Sequence, residues 1–415
     1  MLPADFTSYT KDLFGNKRWQ HYLEAFNSPV PVSIRVNPFK RCDLSHLPVS
    51  APVPWCRDAF YLTERPDFTL DPLLHAGAYY VQEASSMFLD KVIRQHCPDG
   101  FFHNGAAALD LCAAPGGKST LLRAALPEQV LLMSNEPDRR RANILMENMQ
   151  KQGHPGVIVT NNFPKDYNKV GMLFDLILTD VPCSGEGMFR KDEGAIGEWS
   201  LQNVMKCAAL QRSIIEDIWP CLKPGGILIY STCTFNVHED EENVRWIAEN
   251  FGAETLSVDT ESDWNITGSL LPGWQKPAYR FIPGITCGEG LFMAVLRKSA
   301  SDNGTGKGTD RRKALSRLRI LSDGNPVGTQ KGKDIIPAHA EALLTTMPKD
   351  KYPQAELSLD EALRYLRHEA IVLPPDTPRG FVVVTYRSIP LGFVKNIGNR
   401  ANNLYPQEWK IRKMI

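Results

Sequence analysis

The chain has 415 residues, 43% of them hydrophobic and 23% charged, which fits a globular protein of two or three domains. Its 47 basic side chains balance its 47 acidic ones, so net charge alone makes no case for nucleic acid. No apolar run approaches the ~20 residues that span a bilayer, and the first residues lack a basic start followed by an apolar core; a cytoplasmic protein without membrane contact is expected.

In chain order, Val32–Asn37 ("VSIRVN") alternates apolar and polar residues and predicts a half-buried strand with Ser33, Arg35 and Asn37 on its open face. Val81–His96 shows helical spacing at Val81, Ala84, Phe88, Leu89 and Val92. From Ala106 onward, continuously apolar runs alternate with helical stretches. That pattern predicts an α/β fold, a Rossmann-like, mainly parallel sheet covered on both faces. Ligands of such sheets sit at the carboxyl ends of the strands. Leu291–Lys298 reads as a late edge strand. Ser299–Asp310 is rich in Gly, Ser and Thr and reads as flexible. Between Arg297 and Lys333 there are ten Lys/Arg against three Asp/Glu, the charge of a solvated linker or of a contact to phosphates. Beyond it, Ser358 and Glu361 have capping-box spacing, and Gly380–Asn396 reads as two strands and a turn.

Nine cysteines, an odd number with no C-x-x-C pair and no His cluster beside them, argue against a disulfide framework and against a metal site. Cys42, Cys56, Cys97, Cys207, Cys221 and Cys287 read as small buried hydrophobes. Two others are different. Cys183 in "LTDVPCSGEG" and Cys233 in "IYSTCTFN" each follow a strong strand, at the functional edge of the sheet.

The glycine loop "LDLCAAPGGKST" (Leu109 to Thr120) also lies at that edge. It opens a helix, whose N-terminus favours electronegative groups. A phosphate loop would need G-x-x-x-x-G-K-[ST]. Gly117, Lys118 and Ser119 fit that pattern, but Cys112 stands where the first glycine belongs, so an NTPase is the rival reading. Glu136 follows the next strand at the distance that holds ribose hydroxyls in dinucleotide folds. A ribose-binding acid beside a glycine loop unsuited to phosphate favours S-adenosylmethionine over ATP.

Asp180, Cys183 and Cys233 together suit one reaction. Cytosine C5 becomes nucleophilic when a thiolate adds at C6. A carboxyl group at N3 stabilises the resulting charge, and a second basic group helps remove the C5 proton.

These residues carry a resemblance. "LDLCAAPGGKST", "NEPDRRRANILMENMQKQG", "DVPCSGEGMFRKD" and "YSTCTFNVHEDEENV" form an ordered set similar to the motifs of the Nol/Nop/Sun family of RNA (cytosine-5)-methyltransferases. "HAGAYYVQEASSM" is similar to the family's lead-in motif, and "PVSIRVNP" resembles its N-terminal RNA-binding region. The tail with "NIGNRANNLYPQEWKIR" resembles the small PUA-like, β-rich domain of a bacterial branch.

The resemblance implies S-adenosyl-L-methionine as cofactor, Cys233 as nucleophile and Cys183 as the group assisting release. It implies that Asp180 touches both cofactor and base. Cys112, Ala113, Ala114, Pro115, Gly116, Gly117 and Lys118 would line the methionine end of the cofactor, with Lys118 also facing the base. Glu136 would bind ribose. Arg141 matches the family's helical Arg, with an ion pair or packing as its alternative role. Where family members carry an Asp near the adenine, this chain has Asn161, Asn162 and Phe163, leaving Asn162 or a backbone amide for that contact.

The implied organisation is an N-terminal RNA-binding region with a lead-in helix (1–104), a methyltransferase core (105–298), a basic linker (299–334) and a PUA-like RNA-binding domain (335–415). The implied partner is RNA, with small-subunit ribosomal RNA or its particle favoured over transfer RNA, bound by a monomer. A non-catalytic ribosome assembly factor is the alternative of another class.

Overall fold

The computed structural model describes residues 2–301, 308–332 and 334–413. At its centre is a nine-stranded sheet. Five parallel strands form the middle, in the spatial order Leu222–Thr232, Phe174–Asp180, Ala107–Asp110, Leu131–Asn135 and Val157–Thr160. Successive side chains point to opposite faces. Ala108, Leu176, Leu178, Ile227 and Ile229 enter one hydrophobic cluster. Their neighbours Leu109, Ile177, Leu228 and Tyr230 enter another, on the opposite face. Both faces are sealed by helices, so the middles of these strands are apolar, and the buried polar residues Asp110, Asn135, Thr160 and Ser231 gather at their carboxyl ends.

Antiparallel strands extend the sheet at both sides. Leu291–Arg297 pairs with Leu222–Thr232 on one side and with Glu254–Leu256 and Tyr279–Phe281 on the other, so it is not the edge strand its position suggests. Its six buried residues in succession are the reason, because an edge would leave backbone groups of an apolar strand unpaired. At the far side, Ile320–Ser322 pairs with Val157–Thr160.

That last strand belongs to the segment read as linker. Of this segment, residues 302–307 and 333 lie outside the described residues. The rest carries a short helix, Arg311–Leu315, and the strand Ile320–Ser322. Ala314 and Leu318 are buried in the core beneath the sheet. A few apolar residues scattered among many basic ones anchor the segment, which an averaged composition hides.

The N-terminal helix Ala4–Ala25, interrupted at Gly15, lays Phe6, Phe14 and Tyr22 against Phe189, Trp199 and Phe235. A four-stranded antiparallel sheet follows and contains Val32–Val36. Ser33, Arg35 and Asn37 are not on an open face. They are 3%, 4% and 5% exposed. Asn37 donates to the Gly77 and Gln152 carbonyls, and Arg35 reaches Gln82 and Thr120. Alternation shows which residues differ in polarity, but this polar face is covered by core helices and satisfied by hydrogen bonds.

Val81 is likewise not helical. It ends the strand Tyr79–Val81, and the helix proper is Phe88–His96. Between them the Glu83 carboxylate accepts from the Ser85 and Ser86 amides and turns the chain.

The C-terminal unit is a four-stranded sheet in the order Gln354–Glu356, Gly380–Tyr386, Ile389–Asn396 and Ala401–Asn403. The expected hairpin is present and turns through Arg387 and Ser388, both at positive φ as a two-residue hairpin turn requires. The Ser358–Glu361 capping box also forms. Ile34, Leu73 and Tyr79 of the N-terminal unit share one core with Leu363, Val382 and Val394 of this one. Among the described residues, no helix is long and apolar enough to cross a membrane.

Cys56, Cys97 and Cys221 are buried as expected, Cys42 and Cys207 are half-buried, and Cys287 is exposed. Cys287 sits in the turn between Thr286 and Glu289, and its backbone carbonyl accepts from the Tyr61 hydroxyl.

Candidate active site

Register builds the site. In the parallel pair Phe174–Asp180 and Leu222–Thr232, Asp180 lies opposite Ser231. The two chains therefore leave the sheet side by side. Cys183 comes three residues after Asp180 and Cys233 two residues after Ser231. Fifty positions apart in sequence, the two Sγ atoms are 3.1 Å apart. The Cys233 amide also points at the Cys183 sulfur, at 3.4 Å.

Asp180 Oδ1 accepts from the Ser231 hydroxyl (2.8 Å) and Oδ2 from Lys118 Nζ (2.8 Å). Lys118 lies in the first turn of the helix Gly117–Ala125. The glycine loop thus joins the two cysteine loops through one ion pair. Burial works against the Lys118 charge, but the Asp180 carboxylate outweighs it and raises the lysine above its usual value.

The two thiols are pushed apart electrostatically. A hydrogen bond from Cys183 is the main cause that lowers Cys233 below an ordinary thiol; burial and Asp180 oppose it and Lys118 assists. The same hydrogen bond, reinforced by burial, raises Cys183 well above it. The hydrogen bond between them thus favours the proton on Cys183 and makes Cys233 the more acidic thiol.

Two buried carboxylates lash the loops together. Glu186 Oε2 accepts from the Phe235 and Asn236 amides, at 2.6 and 3.0 Å, and Oε1 from Trp199 Nε1 and Asn236 Nδ2. Glu239 Oε2 accepts from the Ser184 amide (3.0 Å) and Gln211 Nε2 (2.8 Å), and Oε1 from Asn236 Nδ2 (2.9 Å). Beneath them Arg280, fully buried, pairs with Asp240 and Glu241 and donates to the Phe235 carbonyl. Gly187 passes so close to the Cys233 carbonyl that a Cβ there would lie 3.0 Å from it. The sequence does not mark these supports: an acidic run such as "HEDEEN" is usually solvated, and Arg280 stands in no motif.

The opposite side of the site differs. Gly116, at φ +118, caps the glycine-loop helix, and a Cβ there would crowd Asn148. Asn148 and Arg141 reach back to the Pro115 and Ala114 carbonyls and hold the loop. Glu136, 3% exposed at the end of Leu131–Asn135, uses Oε1 to accept the Asp138 amide. Its Oε2 is buried with no hydrogen-bond partner among the described residues, the Arg141 guanidinium standing 3.6 Å off. A buried carboxylate oxygen without a donor suits a ligand hydroxyl. Cys112 is half-buried, and burial holds its thiol protonated.

Asn162 is placed beside this edge, but both polar atoms of its side chain are engaged. Nδ2 donates to the Arg319 carbonyl and Oδ1 accepts the Arg319 amide. Its side chain fastens the added strand Ile320–Ser322 rather than facing a ligand. Phe163, the next residue, is exposed. Among the described residues, no group of three His, Cys, Asp or Glu is placed to hold a metal.

Comparison with known proteins agrees with this architecture along the chain. Residues 102–297 match the family described as 16S rRNA methyltransferase RsmB/F. Residues 2–84 match the N-terminal domain of 16S rRNA methyltransferase RsmF, and residues 352–411 the methyltransferase RsmF PUA domain. Ribosomal RNA small subunit methyltransferase F of Cronobacter sakazakii is 30% identical, over 93% of this chain and 92% of the relative. The protein of the same name from Escherichia coli is also 30% identical over the same shares. Among solved structures, a methyltransferase homolog protein from Pyrococcus horikoshii is 27% identical with a TM-score of 0.57, covering 72% of this chain and all of that one. NSun6 from the same organism, solved with SFG, shares the fold at 20% identity and a TM-score of 0.59, covering 71% of this chain and 98% of that one.

Proposed function

The chain belongs to the 16S rRNA methyltransferase RsmB/F family, and from that premise we propose that it methylates C5 of a cytosine in small-subunit ribosomal RNA through a covalent bond to Cys233. The observation that carries this reading is the Cys183–Cys233 contact of 3.1 Å beside the Lys118–Asp180 pair.

S-adenosyl-L-methionine, when bound, supplies the electrophilic methyl group. The residues from Cys112 to Lys118 and the unpartnered Oε2 of Glu136 would hold it, the latter through a ribose hydroxyl. Arg141 is assigned to fastening the loop and Glu136, the ion-pair alternative. Since the Asn162 side chain is engaged by Arg319, the adenine contact falls to neighbouring backbone or to Phe163.

Cys233 attacks C6 as the thiolate, forming the C–S bond, and the ring electrons move toward N3. N3 takes up a proton as this happens, passed from Lys118 through the Asp180 carboxyl, and returns it when the enzyme is eliminated. C5 then takes the methyl group. Before the attack, Cys183 holds its proton chiefly because it hydrogen-bonds to the Cys233 sulfur. Once that sulfur is bonded to carbon, this cause is gone, and Cys183 releases its proton to solvent and stands as the thiolate. It can then accept the C5 proton as the C–S bond breaks and the double bond returns. The target cytosine must be unpaired or flipped, because attack needs access to both ring faces. The NTPase alternative fares worse, since Lys118 is spent on Asp180 rather than on a phosphate cradle. Transfer RNA remains the second substrate to assay.

The test is trapping. Cys233→Ala should abolish methyl transfer and any covalent complex. Cys183→Ala should transfer the methyl group yet stall in elimination, giving a nuclease-sensitive protein–RNA band on a denaturing gel. The double variant should show no band. A band from Cys233→Ala alone would exchange the two roles.

A further inference from the structure

A second concave site lies away from the cysteines, between the N-terminal sheet and the helices Gly117–Ala125 and Arg139–Gln152. Its cavity is about 300 Å³, at the lower end of the ~300–1,000 Å³ usual for small-ligand sites. Among the described residues, no aspartate or glutamate lines it, whereas Arg35, Arg65 and Lys151 do.

Arg35 is the unusual member. It is 4% exposed and forms no ion pair among the described residues. Nε donates to Gln82 Oε1 (3.0 Å), and Nη2 to Thr120 Oγ1 (2.6 Å) and the Gly117 carbonyl (3.5 Å). Nη1 has no hydrogen bond to the described protein, yet it is not among the unpartnered atoms sealed from solvent. Asp90 and Asp58 attract this guanidinium without touching it, so its burial stays costly, and an anion at Nη1 would offset that cost. Arg65, exposed at the rim, lies over the Phe68 ring at 5.3 Å. Lys151 is already paired with Glu147, so Arg35 and Arg65 carry the free positive charge. Tyr80 supplies an aromatic wall. A cationic floor with an aromatic wall is the chemistry that holds nucleotides.

We propose that this cavity seats one nucleotide of the RNA substrate, its phosphodiester held by Arg35 and Arg65 and its ring or ribose against Tyr80. The inference rests on the reading that the substrate is RNA. It accounts for Arg35 facing inward: the residue meets the RNA in a cleft at the junction with the core. Since Arg35 also binds Gly117 and Thr120, the seated nucleotide would touch the helix whose first turn presents Lys118.

Arg65→Glu is the discriminating variant, because Arg65 is exposed and its loss should not disturb the core. With deproteinised small-subunit ribosomal RNA, its affinity should fall about tenfold, and the salt slope of binding should shrink by about one. KM for RNA should rise with kcat unchanged, the mark of binding lost equally in ground and transition states. Cofactor affinity and thermal midpoint should match those of the unaltered protein. Unchanged RNA affinity and salt slope would overturn the proposal. So would stabilisation of the unaltered protein by inorganic phosphate alone, together with unchanged RNA affinity in the variant, because the cavity would then serve a free anion. Neither measurement depends on the cysteines, so failure here is separable from failure of the trapping experiment.

Discussion

The two sides of the active site are built on opposite principles. On the cysteine side, Glu186, Glu239, Asp240 and Glu241 are buried, and their carboxylates are engaged by amides, side chains of neighbouring loops and Arg280. On the glycine-loop side, Glu136 keeps one buried oxygen without a hydrogen-bond donor among the described residues, with only the Arg141 guanidinium 3.6 Å off, and Asp110 also keeps one oxygen without a donor. Groups that the protein itself satisfies hold two thiols in one geometry before any substrate arrives. Groups left unsatisfied are where binding energy is still to be gained. Substitutions on the first side should therefore cost stability, and on the second should cost affinity.

The largest effect should come from Arg280→Ala. It strands two buried carboxylates, and removing one partner of such a cluster typically costs ~3–5 kcal/mol. Urea denaturation followed by fluorescence would measure it. A loss under about 1 kcal/mol would mean the cluster is neutralised by protonation, which the upward push of burial on Asp240 makes the competing account.

Glu136→Ala should act the other way round. Losing a charge-assisted hydrogen bond costs ~1.5–3 kcal/mol, so cofactor affinity in calorimetric titration should weaken roughly ten- to a hundredfold. Stability should change by no more than about 1 kcal/mol, because the lost bond to the Asp138 amide is offset by removing a buried carboxylate with one oxygen unsatisfied. A large stability loss with unchanged affinity would erase the distinction between the two sides.

The smallest effect, counted per pH unit, concerns Asp110. Burial raises its carboxyl to about 7, against the donor bond from Ser119 that lowers it. A folded value above the unfolded one, ~3.9, means the folded state holds an extra proton between about pH 4 and 7. The Asp110 contribution is then full at low pH and is lost as pH rises through that window. Asp110→Asn cannot ionise, so it should gain on the unaltered protein by ~1 kcal/mol per pH unit across the window. Parallel stability profiles of the two proteins would show that Asp110 is charged throughout.

Much of this molecule was legible in one dimension. Continuous apolar runs announce strands covered on both faces, because pleating sends neighbours to opposite sides. The glycine loop, Glu136, Asp180 and the two cysteines could be assigned to one edge, because parallel strands bring their carboxyl ends together. The hairpin and the capping box were local features and formed as read.

What only tertiary structure decided were the matters of pairing. Arg35 lies inward because a helix covers its face, Asn162 is occupied because a segment 157 residues away docks on it, and Leu291–Arg297 is interior because three earlier strands flank it on both sides. The acidic run after Cys233 is a buried brace rather than a solvated face, because Arg280 and the loop amides reach it from elsewhere in the chain. Polarity is a property of a residue and can be read in place. Whether a polar group meets water, a partner or a ligand depends on which distant segment arrives to cover it.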